Sequence, residues 1–86
     1  MKDVKAIAAR LILMGFDVKS IYEAEDNQDG EITLSDTYAV QVGDDYVCLY
    51  EFDPVRETVQ YKISLYDLSK FYDSILFYKD KICKSI

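Results

Sequence analysis

The sequence predicts an α+β domain in which a four-stranded antiparallel meander is flanked by an N-terminal and a C-terminal helix. Three observations predict it. Apolar residues recur at helical spacing near both ends of the chain, they alternate with polar residues in between, and Gly- or Pro-bearing turns separate these stretches. A chain of 86 residues is one domain, 1–86. Half of its residues are apolar, eight Tyr and four Phe among them, which is too apolar for a disordered chain at a net charge of −6.

Residues 3–14 read as the first helix, because Val4, Ile7, Ala8, Leu11 and Met14 fall on one face. Gly15 suits the left-handed position after a helix end, with Phe16 folding back on Leu11. The period then shortens toward two. Residues 17–24 form a first strand, with Ser20 and Ile21 interrupting the alternation, and Asp29-Gly30 supplies hairpin chemistry. Residues 31–42 form the second strand, placing Ile32, Leu34, Tyr38, Val40 and Val42 on one face, with Asp36 as the exception that marks a kink. After Gly43-Asp44-Asp45, residues 46–52 form a third strand that is apolar on both faces, as a central or partner-contacting strand is. Asp53-Pro54-Val55-Arg56 is a type I turn. Residues 57–63 form the fourth strand, with Val59, Tyr61 and Ile63 on one face, and Ser64 or Asp67 caps a last helix reaching about Lys81. Both helices are expected on one face of the sheet.

The chain begins Met1-Lys2-Asp3-Val4-Lys5 without an apolar leader run, and no stretch approaches the roughly 20 apolar residues of a membrane span, so a cytoplasmic protein without membrane contact is expected. Cys48 and Cys83 lack any CxxC spacing and read as small buried hydrophobes. There is no histidine, which removes the usual neutral-pH base and metal ligand. The three glycines each sit at a turn and form no phosphate loop. The carboxylates fall in turns and on exposed strand positions, where nothing perturbs them toward catalysis. The expectation is a non-enzyme with no catalytic residue, cofactor or metal.

Glu25, Asn27, Asp29, Glu31, Thr33 and Asp36, aligned on Gly30, resemble the ligand positions of a twelve-residue EF-hand calcium loop. The resemblance departs at both ends, with Glu first and a short Asp last, and its flanks are strand-like where an EF-hand needs helices. The same residues make an ordinary acidic hairpin turn, and a weak calcium-binding hairpin is the more distant alternative.

Charge is distributed unevenly. Residues 20–55 hold ten acids and no base, while the rest of the chain carries +4. Glu23, Glu25, Asp26, Asp29, Glu31, Asp44, Asp45, Glu51 and Asp53 are the candidate acidic contacts. They form an elongated negative strip, with the first and third turns at one end of the meander and the second at the other. Such a surface disfavours direct nucleic-acid binding, which needs a basic footprint. It suits a basic surface on a larger protein, for an inhibitor or adaptor whose sharpest form is a nucleic-acid mimic of immunity or anti-defence type. Plain solubility is the competing explanation. Tyr46, Tyr50, Phe52, Phe77 and Tyr78 exceed what one small core requires and mark a second candidate surface, for a partner or for self-association. The alternative they support is a dimeric, chaperone-like protein that holds an apolar client segment. A monomer and a homodimer are both compatible with the sequence.

Overall fold

A computed structural model describes residues 3–25 and 28–84. Helix α1 (Val4–Leu13) starts where Asp3 Oδ1 accepts the backbone N–H groups of Lys5 and Ala6, at 3.0 and 3.3 Å. It stops as its sequence requires. Gly15 takes φ +96°, its N–H donates to Ile12 O, and Phe16 N–H donates to Leu11 O, both at 3.0 Å. This is the Schellman arrangement, and it tucks Phe16 into the core beside Leu11.

The sheet has five strands rather than four: β1 (Ser20–Tyr22), β2 (Gly30–Thr33), β3 (Tyr38–Val42), β4 (Val47–Asp53) and β5 (Thr58–Leu65), antiparallel and in sequence order. The expected strand over 31–42 is two strands joined by a turn at Asp36. Ser35 Oγ holds that turn by accepting Thr37 N–H at 3.3 Å and Tyr38 N–H at 3.0 Å. Leu34 and Tyr38 are both buried on the core side, so the alternation reads unbroken across the turn. The first strand is shorter than expected because β2, its sole neighbour, offers only four residues to pair with.

Residues opposite one another on a ladder share a face. Ile32, Val40, Leu49 and Ile63 form one row, and Val42 and Val47 lie in the next. These six pack in one core with Ile7 and Leu11 of α1 and with Phe71 and Ile75 of α2 (Leu68–Ile75), so both helices cover the same face. Asp67, not Ser64, caps α2, accepting Lys70 N–H at 3.2 Å, while Ser64 belongs to β5. The last helix is interrupted by a 3₁₀ turn, Leu76–Tyr78, before α3 (Lys79–Lys84). Among the described residues no helix is long and apolar enough to cross a membrane.

One irregularity reorganises β5. Leu49 pairs with Ile63 but Tyr50 pairs with Tyr61, so Lys62 is an extra residue on the strand. Ile63 therefore enters the core, whereas Val59 and Tyr61, expected beside it, point to the other side and are 46% and 57% exposed. The fifth strand also changes where the turns lie. The β1–β2 and β3–β4 connections, with Glu23, Glu25, Asp29, Asp44 and Asp45, share one end of the sheet, and Asp36 and Asp53 lie at the other. The expected pairing of the first and third acidic turns is thus replaced by the first and second.

Candidate docking face

The face opposite the helices carries a layer of tyrosines and short polar residues with no element over it among the described residues. Strand alternation aims Tyr22, Glu31, Thr33, Ala39, Gln41, Cys48, Tyr50, Phe52 and Tyr61 to this side. Ala39 and Cys48 are buried, yet neither belongs to the helix-packed core.

The polar groups of this face bind one another. Tyr61 Oη donates to Gln41 Oε1 at 3.2 Å, Gln41 Nε2 donates to Asp29 Oδ2 at 2.7 Å, and Tyr46 Oη donates to the same carboxylate oxygen. Tyr50 hydrogen-bonds Glu31, and its ring meets that of Tyr61 edge-on at 6.0 Å between centroids. Tyr22 Oη donates to Gln28 at 2.9 Å, and the Cys48 thiol donates to Ser64 Oγ at 3.3 Å. Gly43 lets Tyr46 reach Asp29, because a Cβ on Gly43 would overlap the Tyr46 ring.

These bonds shift two phenols. Hydrogen bonding to Asp29, then burial, pushes Tyr46 up to about 12, and burial, then the bond to Glu31, pushes Tyr50 to about 12 as well. Both folded values exceed the ordinary tyrosine value of about 10. Their contribution to stability is therefore complete below pH 10 and is lost as pH rises from 10 through 12. Spectrophotometric titration should show two phenols ionising near pH 12, one lost in Tyr46→Phe and the other in Tyr50→Phe. All eight tyrosines titrating together at pH 10 in the folded protein would contradict the network.

The acidic candidates divide. Asp29 and Glu31 stand on this face within the tyrosine network. Glu51 lies on the helix side, 3.5 Å from Lys62 and bonded to Tyr38, whose phenol is raised by burial and then by that bond. Glu23 pairs with Lys5 at 3.3 Å, and Asp53 caps its own turn by accepting Val55 and Arg56 N–H groups. Glu25, Asp44 and Asp45 are exposed, and Asp26 lies outside the described residues. Of the calcium-like positions, Asn27 also lies outside them. Asp29 and Asp36 stand at opposite ends of β2, so no loop wraps them together, and the described residues contain no group of three or more potential metal ligands.

The aromatic candidates divide too. Tyr46, Tyr50 and Phe52 share the open face, whereas Tyr78 packs against the core and Phe77, 86% exposed, projects from the helical layer. Tyr22, Gln41 and Tyr61 are the members that sequence reasoning missed. Tyr22 carried a legible signal, a tyrosine on a short edge strand, but Tyr61 is turned by a bulge that no residue type announces. Cys48 and Cys83 are both free thiols.

The fold and this face define a helix-backed antiparallel sheet with one open, tyrosine-rich side. Comparison with family models, with curated proteins and with solved structures finds no match to the chain.

Proposed function

We propose that this protein is a non-enzymatic interaction module that docks the open face of its sheet against a basic surface of a larger protein. The observation that supports this reading most directly is that tyrosines and carboxylates share one sheet face that no described element covers, with Tyr22 and Tyr61 exposed and Tyr46 and Tyr50 half-buried against Asp29 and Glu31. Tyrosines supply broad contact area at low entropic cost and attract cations to their rings, and the carboxylates beside them complement arginine and lysine. The exposed Asp44 and Asp45 at the rim extend the negative field and would steer a basic partner during approach.

The two parts predict different kinetics. With an oligoarginine peptide as probe, Asp44→Lys/Asp45→Lys should slow association severalfold and flatten the salt dependence. Tyr61→Ala should speed dissociation about tenfold, the loss expected of an interface aromatic at about 1–2 kcal/mol. Surface plasmon resonance across a salt series reads both. Affinity unchanged by salt and by both variants would refute the reading.

A further inference from the structure

The open face is not flat. Ala39 sits at the middle of the row Thr33, Ala39, Tyr50, Tyr61, and its methyl group is far shorter than its neighbours. A cavity of about 240 Å³ opens above it, walled by Tyr50, Phe52 and Val59, with Glu31 at one side. Thr37 and the exposed Asp36 close the end toward the β2–β3 turn, and no basic residue lines the cavity.

From this geometry we infer that the cavity receives a single arginine side chain of the partner. The inference rests on the docking reading above and names the anchor that reading lacks. An arginine stem is apolar and would lie over Ala39 and Val59. Its planar guanidinium stacks on aromatic rings, here Tyr50 and Phe52, and forks onto a carboxylate, here Glu31. The hydroxyl of Tyr50 interacts with that carboxylate. A lysine ammonium fits less well, being compact, strongly hydrated and unable to stack as a plane. The charge of the walls also excludes an acidic or phosphorylated anchor, since Glu31 and Asp36 would repel it.

The test compares oligoarginine and oligolysine peptides by calorimetry on the intact chain at about 0.15 M salt, where exposed charges further apart than about 8 Å are screened. Ala39→Leu fills the cavity and should weaken oligoarginine binding at least tenfold while leaving oligolysine binding within twofold. Because Ala39 lies on a central strand, a second variant on the exposed edge strand guards against misfolding. Val59→Arg places a guanidinium of the chain itself at the cavity mouth and should lose oligoarginine at least tenfold. Thr58→Arg adds the same charge on the other side of β5 and should lose less than threefold. If Val59→Arg and Thr58→Arg weaken binding equally, or if Ala39→Leu folds and binds oligoarginine like the wild type, the anchor is wrong. Should Tyr61→Ala and the Asp44/Asp45 reversal still weaken binding in that event, only the anchor falls. Silence of all the variants, or no saturable binding by the wild type, removes the docking reading with it.

Discussion

Replacing Phe71 with alanine should lower the unfolding free energy by about 3–5 kcal/mol, the usual cost of deleting a fully buried ring. Phe71 has no exposed surface and is the largest of the fully buried side chains, where α2 meets the sheet. A domain of this length has roughly 4–13 kcal/mol in total, so the loss removes from about a quarter to all of it. Phe77→Ala is the informative contrast. The two rings are six positions apart on the same helical segment, yet Phe77 is 86% exposed, and its removal should change stability by no more than about 0.5 kcal/mol. Urea unfolding followed by circular dichroism measures both. Equal losses would mean that the helical segment is rotated relative to the sheet from the packing described.

Gly43→Ala should cost about 1–3 kcal/mol, the range for forcing an extra carbon into a packed site. The physical reason is local: the new methyl group occupies the space of the Tyr46 ring. If the ring is displaced it loses Asp29, so its phenol should fall from about 12 toward the ordinary value of about 10. Stability loss together with a shifted phenol identifies the mechanism, because general destabilisation would lower the first without selecting Tyr46. Full stability with the Tyr46 titration unchanged would show that the ring does not rest on Gly43. A loosened Asp29 also leaves Gln41 and Tyr61 less constrained, which connects a turn glycine to the centre of the docking face.

Local chemistry was legible wherever one residue decides a local conformation. Gly15, read as the stop of the first helix, adopts a backbone angle that other residues avoid, and Asp67, one of the two caps the sequence offered, caps α2 through its carboxylate, whereas Asp3, read as part of the first helix, is its cap. The core face of residues 31–42 also followed from alternation alone, since Ile32, Leu34, Tyr38, Val40 and Val42 are all buried together. The β2–β3 turn was hidden for a specific reason. Leu34 and Tyr38 flank it at even separation, so apolar parity passes through it and only Asp36 breaks the pattern. Reading one strand there in place of two reversed the end of the sheet to which Asp44 and Asp45 belong.

The candidate site was half legible. Composition pointed to Tyr46, Tyr50 and Phe52 as aromatics in excess of the core, and they do share one face. It could not separate them from Phe77 and Tyr78, which belong to the helical layer. It also treated the acids as equivalent, whereas Asp29, Glu31 and Glu51 are bonded to tyrosines, Glu23 to Lys5, and Asp44 and Asp45 stand exposed.

By itself, then, the sequence determined the antiparallel α+β class, the stop of the first helix at Gly15, the inward face of residues 31–42 and the concentration of acid between residues 20 and 55. Each of these depends on a residue and its near neighbours along the chain. Tertiary structure alone decided that Glu31, Gln41, Tyr50 and Tyr61 of four strands meet Asp29 and Tyr46 on one face, that Lys62 bulges and turns Tyr61 outward, and that Ala39 leaves a cavity. Those features arise from register between strands distant in sequence, and register is set by how every side chain packs across the ladder.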